Sequence, residues 1–281
     1  MNRSVCILGA GSMGRALVGG LLRSGTRAEQ LNVGEQDVTA RATLRRDFGV
    51  SALADNAQAV AGAAVVVLAV KPQDAVATLS ALADLFAQQR PLVVSVAAGV
   101  RLAALEGACG PGIAVVRAMP NRPALVGAGI TGLYAGSDIS PAQRTSVQGV
   151  LGSVGETVWV PSEEALDAVT ALSGSGPAYF FLLAELMAEA GEGLGLEATT
   201  ARRLASATLY GAGLLAHAAD CNLTQLRAEV TSAGGTTEAA VRVLEDAGLR
   251  AMVARALSAA AQRSRELAAA PAITATGTGN S

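Results

Sequence analysis

The stretch Val65-Val-Val-Leu-Ala-Val70 offers no polar side chain to either face of a strand. A strand of that kind must be covered on both sides, the environment of a parallel sheet layered between helices. Ser4–Leu8, Leu92–Val96 and Ile113–Val116 have the same character, and Leu31–Val33, Ile130–Tyr134 and Thr157–Val160 read as further strands. Helical patterns fill the intervals between the early strands. The fold class expected is therefore α/β, a doubly wound and mostly parallel sheet. Apolar residues make up 51% of the 281-residue chain but aromatics only 3%, so Ala, Leu and Val must build the core.

That rhythm stops at Trp159-Val-Pro161-Ser162. Ser162 can cap a helix, and Glu163 and Glu164 suit its first turn. Everything beyond reads as helical, and Ala178–Leu194 and Leu204–Ala219 are apolar nearly all round, which calls for burial against more than one neighbour. Residues 1–161 are expected to form a dinucleotide-binding domain. Residues 162–281 are expected to form an all-helical dimerisation and substrate domain, with a frayed, low-complexity tail over 268–281. Helices so apolar in so small a domain predict a homodimer or a larger assembly built from dimers.

The chain carries 21 basic and 23 acidic residues with no basic block, which argues against nucleic acid or a charged membrane surface as partner. No apolar run is long enough to span a membrane. Cys6, Cys109 and Cys221 are scattered and odd in number, without C-x-x-C spacing or a neighbouring His. They predict a reducing, cytoplasmic setting and no metal site. No basic leader precedes the first strand, so no export signal is expected.

Between that strand and the first helical pattern stands Gly9-Ala-Gly11-Ser12-Met13-Gly14. Gly9 permits the tight turn, Gly11 lets a pyrophosphate approach the backbone, and Gly14 brings helix and strand together. With a strand before it, a helix after it and an acid at Glu35 past the second strand, the loop predicts a Rossmann-type dinucleotide site. A carboxylate at Glu35 accepts hydrogen bonds from a ribose 2′-hydroxyl and repels a 2′-phosphate. Arg41 and Arg45 stand nearby as counter-charges, so the reading leans to NADH and leaves NADPH open.

Hydride transfer to a carbonyl needs a positioned acid, commonly His or Lys. The chain has one Lys, Lys71, at the end of the Val65–Val70 strand where a cofactor's edge would lie, and one His, His217, on a largely apolar helix. An imine is easier, because its nitrogen can be protonated before hydride arrives. Hydroxyls and backbone N–H groups then suffice. Ser173-Gly-Ser-Gly-Pro177 and Thr231–Thr237 each precede a helix and are expected to make anion pockets suited to a carboxylate. With a nicotinamide, they describe a site for a small cyclic imino acid.

Up to about Leu267 the chain resembles the pyrroline-5-carboxylate reductases of proline biosynthesis. The resemblance rests on GAGSMG at 9–14, VVLAVKPQ at 66–73, VSVAAGV at 94–100, RAMPNRPALVGAGIT at 117–131, SGSGPAYFF at 173–181 and VTSAGGTTEAAVRVLEDAGLRA at 230–251. It implies NAD(P)H-dependent reduction of 1-pyrroline-5-carboxylate to L-proline, with Thr237 as the catalytic hydroxyl at the ring nitrogen. Ser232, Gly234, Gly235 and Thr236 would cradle the carboxylate. Asn56, Ala69, Val70, Lys71, Pro72, Ala97, Ala98, Gly99 and Asn121 would line the dinucleotide beside the 9–14 loop. It further implies a homodimer or a decamer-like ring of dimers. The chain departs from the family at Arg122, where P-N-T-P is usual, and at Ala233, where S-P-G-G is usual; a missing proline frees φ at that position. Reduction of a related cyclic imine, or a non-catalytic dinucleotide-binding regulator, are the alternatives.

Overall fold

The computed structural model describes residues 4–136, 139–218 and 222–269. Most of the expected tail, Cys221 and the end of the Leu204–Ala219 pattern at Ala219 lie outside the described residues. By contacts the chain divides into two compact units. One runs to Gly174 and takes back the chain from Ala260; the other is Ser175–Ala259.

The first unit is built on β1 (Val5–Leu8), β2 (Leu31–Gly34), β3 (Ser51–Leu53), β4 (Val65–Leu68), β5 (Leu92–Ser95), β6 (Val115–Met119), β7 (Gly129–Ala135) and β8 (Gly155–Trp159). They form one sheet in the order β3-β2-β1-β4-β5-β6-β7-β8. Every pairing is parallel except β6–β7. The direction of winding reverses at β1, which pairs Val5 with Leu31 on one side and with Val65 on the other. In open α/β sheets a ligand crevice opens at such a point, beyond the carboxyl ends of the strands.

Successive strand residues point to opposite faces. Ile7, Val33, Val67, Val94 and Val116 therefore join one buried cluster, and Cys6, Leu8, Val66, Val93 and Val115 the other. The first cluster is covered by Leu17 and Leu21 of α1 (Ser12–Arg23), Leu44 of α2 (Val38–Phe48) and Val147 and Leu151 of a later helix, Pro141–Leu151. The second is covered from α3 (Asn56–Val60), α4 (Pro72–Ser80), α5 (Ala83–Gln89) and α6 (Leu102–Cys109), through Ala59, Ala75, Leu79, Phe86 and Leu105. The Pro141–Leu151 helix is α7. Its Ser140 cap and Gln143 satisfy each other's backbone N–H groups.

The Ser162 hydroxyl accepts from Ala165 N–H at 3.3 Å and starts α8 (Ala165–Val169). Glu163 instead reaches back, accepting from Leu102 N–H at 2.6 Å and from Arg117 at 2.5 Å. Asp167 is buried, accepts from Ser264 Oγ at 2.7 Å and lies 3.5 Å from Arg101. These ties explain why the contact boundary falls at Gly174, later than the change of pattern at Pro161–Ser162.

The second unit holds α9 (Gly176–Gly193), α10 (Ala198–Ala218), α11 (Leu223–Glu229), α12 (Thr236–Asp246) and the first half of α13 (Leu249–Ala269). Its buried cluster consists of Ala188, Ala201 and Ala205, where α9 and α10 approach closely. Among the described residues no helix is long and apolar enough to cross a membrane.

Candidate active site

A cavity of about 750 Å³ opens at the reversal point, lined by the ends of β1, β2 and β4 and the starts of α3 and α4. The glycine loop forms one wall. Gly9 has φ +101°, and a Cβ there would stand 2.6 Å from the Ala69 carbonyl oxygen, so only glycine fits. At Gly14 a Cβ would stand 2.1 Å from the Gly9 carbonyl oxygen, which is how the start of α1 comes so close to the turn. A Cβ at Gly11 would meet nothing within 4 Å, and that residue lines the cavity with bare backbone. Gly11 is also the N-cap of α1 and brings no side chain to cap it. Open backbone at the positive end of a helix is what a pyrophosphate requires, so these residues fit a dinucleotide.

Glu35 stands on the neighbouring wall with both carboxylate oxygens engaged. One accepts from Ala10 N–H at 2.7 Å and the other from Asp37 N–H at 2.9 Å. The acid thus ties the end of β2 to the glycine loop and keeps lone pairs for further donors. The two nearby arginines are occupied as well. Arg41 donates to the carbonyl oxygens of Glu35 and Gln36 at 2.8 and 2.6 Å, and Arg45 donates to that of Ala52.

Of the residues expected at the cofactor, Gly9, Gly11, Glu35, Asn56, Ala69, Val70 and Lys71 come together around this cavity. Ser12, Met13 and Gly14 form the first turn of α1, and Pro72 is the first residue of α4, after Lys71. Ala97, Ala98 and Gly99 follow β5 outside the lining; Ala97 N–H donates to Ser95 Oγ at 3.3 Å, and Gly99 has φ +77°. Asn121 is buried, and its side-chain oxygen accepts from Ile130 N–H at 2.9 Å, bracing the turn into β7. Gly34 was not singled out from sequence. A Cβ there would stand 2.4 Å from the Asn56 side-chain oxygen, so the small residue is what admits Asn56 to the cavity.

In the second unit, Ser232 to Gly235 form a tight bend into α12. Gly235 N–H donates to the Ser232 carbonyl at 3.0 Å, and Gly234 has φ +71°. The first backbone bond of the helix is Ala239 N–H to Gly235 at 3.2 Å. The N–H groups of Thr236, Thr237 and Glu238 therefore have no intrahelical acceptor, and the N-cap, Gly235, has no side chain to offer them. Ser232, Gly234, Gly235, Thr236 and Thr237 are brought together here. The Thr237 hydroxyl has no hydrogen-bond partner among the described residues.

Ser173–Pro177 takes another form than the open pocket expected. Thr170–Gly174 is a turn of π-helix that leads from α8 into α9, and Ser175, the N-cap of α9, already has helical angles of φ −84° and ψ −21°. The Ser173 hydroxyl donates to the Val169 carbonyl at 3.0 Å. The Ser173 hydroxyl is thus used locally, while Ser175 brings no side-chain bond to the start of α9.

Comparison with known proteins agrees with this layout. The family model described as pyrroline-5-carboxylate reductase dimerisation matches residues 163–267, and that described as NADP oxidoreductase, coenzyme F420-dependent, matches residues 4–99. The chain is 45% identical over 264 residues to a pyrroline-5-carboxylate reductase of Pseudomonas aeruginosa, with 94% of this chain and 96% of that protein covered. A solved structure of a pyrroline-5-carboxylate reductase from Coxiella burnetii superposes with a TM-score of 0.92 at 38% identity, covering 95% of this chain and 99% of that one. The Plasmodium falciparum pyrroline carboxylate reductase, solved with NADP bound, gives a TM-score of 0.79 at 26% identity, with 95% and 99% covered. A nicotinamide-binding sheet unit followed by that dimerisation region, in a chain matched almost end to end, means that this chain belongs to the pyrroline-5-carboxylate reductase family.

Proposed function

We propose that the protein reduces 1-pyrroline-5-carboxylate to L-proline. The observation that carries the reading is the 232–237 bend, where free backbone N–H groups stand beside the hydroxyls of Ser232, Thr236 and Thr237, none of which has a hydrogen-bond partner among the described residues, within a family built for this substrate. A reduced nicotinamide supplies the hydride when bound. The amides at the start of α12 hold the substrate carboxylate through the helix's positive end. Thr237 orients the ring nitrogen. That nitrogen takes a proton from solvent before transfer, so when C5 gains the hydride the C=N π pair settles on nitrogen and leaves a neutral amine. No acidic side chain is required, and the protein's work is positioning.

NADH is the cofactor we propose the site prefers. Glu35 would meet a 2′-phosphate with like charge, on the order of 4 kcal/mol at about 4 Å and an effective dielectric near 20, before screening reduces it. Arg41 and Arg45 are tied to backbone carbonyls by part of their guanidinium donors, which limits how far they can turn to answer that phosphate. We further assign the active form as a homodimer assembled through the helical unit, with a ring of dimers as the larger state, working in the reducing cytosol. Steady-state kinetics test the reading in one series. Higher kcat/KM for the five-membered than for the six-membered imine, and for NADH than for NADPH, is expected. A preference for the larger ring would reassign the substrate, and equal use of both cofactors would remove Glu35 as the discriminator.

A further inference from the structure

The substrate bend is made of the residues least able to hold a shape. Ser232, Ala233, Gly234 and Gly235 offer almost no side chain to pack, and glycine loses more freedom on ordering than any other residue. Few ties restrain the bend. Gly235 N–H is bound to the Ser232 carbonyl, Thr231 N–H donates to the Ala228 carbonyl at 3.0 Å, and the Thr231 hydroxyl donates to the Arg227 carbonyl at 2.6 Å. All of these are local or run back towards α11. The tie that runs forward to α12 through a side chain is different. Gly234 N–H donates to a carboxylate oxygen of Glu238 at 2.7 Å.

Glu238 is the third residue of α12, where a negative charge is favoured by the helix's positive end. From that position an acid commonly reaches back to the N-cap N–H; here it reaches one residue further, to the left-handed Gly234. Its charge makes this a strong kind of hydrogen bond. Arg242, one turn on, lies 3.9 Å from the same oxygen. The residue before Gly234 is Ala233, whose φ is free, so nothing covalent does the same job.

We infer that Glu238 is a positioning residue, its carboxylate bracing Gly234 so that the bend keeps the shape the substrate needs. The inference rests on the reading of 232–237 as the substrate cradle. It makes Glu238 a determinant of how tightly the imino acid is held, acting through the backbone without touching the reacting atoms. A covalent restraint at the preceding residue should substitute for it, because both act by removing loop conformations.

The test is a set of variants of the full-length protein, assayed with pyrroline-5-carboxylate and NADH. Glu238→Ala is expected to raise KM for the imino acid about tenfold, the cost of one charged hydrogen bond at the lower end of its range. Cofactor KM and kcat should stay within about twofold of the parent. Glu238→Gln, whose amide oxygen still accepts from Gly234, is expected to recover most of the loss. Ala233→Pro combined with Glu238→Ala should bring KM back towards the parent value. An unchanged KM in Glu238→Ala, beside a disabled Thr237→Ala, would overturn the brace and leave the cradle standing. A lowered KM would also overturn it, because Glu238 would then be competing with the substrate carboxylate for the same amide. Full activity in both Glu238→Ala and Thr237→Ala would remove the cradle itself.

Discussion

Leu17, Leu31, Val67 and Phe86 of the sheet unit are fully enclosed by their own chain. In the helical unit three of the four aromatic side chains, Phe180, Phe181 and Tyr210, stand 59%, 59% and 70% exposed, and the buried cluster is three alanines. The first unit meets its packing requirement alone. The second carries a row of unburied residues, Leu182, Leu183, Leu186 and Met187 among them, along a helix inside the matched dimerisation region. Full burial of one such side chain contributes roughly 1.5–3 kcal/mol, so a second copy is the natural source of the missing core. The packing of the sheet unit is then a property of the single chain, and that of the helical unit a property of the assembly.

The largest effect should come from denying the helical unit its partner. Leu183→Glu combined with Leu186→Glu places two charges on that apolar row. Analytical ultracentrifugation should find monomer or aggregate, with activity lost and the thermal midpoint lowered. Nucleotide binding, followed by NADH fluorescence, should survive. An active dimer would mean that this face is not the one that pairs.

Within the assembled protein, Thr237→Ala comes next. Removing the hydroxyl should lower kcat/KM by about 100-fold, the low end for a group acting directly on the reacting atoms. Cofactor affinity, by titration, should change less than twofold. Equal activity would take Thr237 out of the chemistry.

Gly14→Ala probes the other half. Its Cβ would press on the Gly9 carbonyl oxygen at 2.1 Å, and the loop must shift at a cost of roughly 1–3 kcal/mol. Dinucleotide affinity should fall about tenfold or more at such a cost, with the dimer intact. Coupled loss of both would show that the units are less independent than their packing implies.

The smallest effect concerns the sheet unit's thiols. Burial pushes Cys6 up to about 12 from an ordinary 9.0, and burial with the charge of Glu106 does the same for Cys109. Unfolding lets both ionise near 9, so this part of the stability is present below pH 9 and lost as pH rises from there towards 12. Urea denaturation at pH 7.5 and pH 10 should show the decline. Alkylation mapped by mass spectrometry should label neither thiol in the native protein at pH 8.

What could be read from the sequence follows the same division. Unbroken runs such as Val65–Val70 announce a strand buried on both faces, and the glycine spacing at 9–14 announces the tight turn from β1 into α1. β3 went unread because Ser51–Leu53 is a three-residue edge strand with only Ala52 fully buried, too short to show a pattern. Gly34 was missed because its reason is the side chain of Asn56, 22 positions away. Ser173–Pro177 has the composition of a loop, yet its first two residues end the π turn Thr170–Gly174 and its last two open α9. Asn121 likewise gives its side chain to Ile130, a partner that one-dimensional spacing does not reveal. At 232–237 the free amides were legible, because small residues stand there before a helix. The brace, Glu238, emerges only once the bend is seen to fold back.

The account turns on hydride reaching a C=N carbon. The direct measurement is the mass spectrum of product formed from 1-pyrroline-5-carboxylate and NADH deuterated at nicotinamide C4 on the transferred face. Proline carrying one deuterium, located at C5, is expected. Proline without label at C5, or oxidation of the nucleotide with no proline formed, would contradict it.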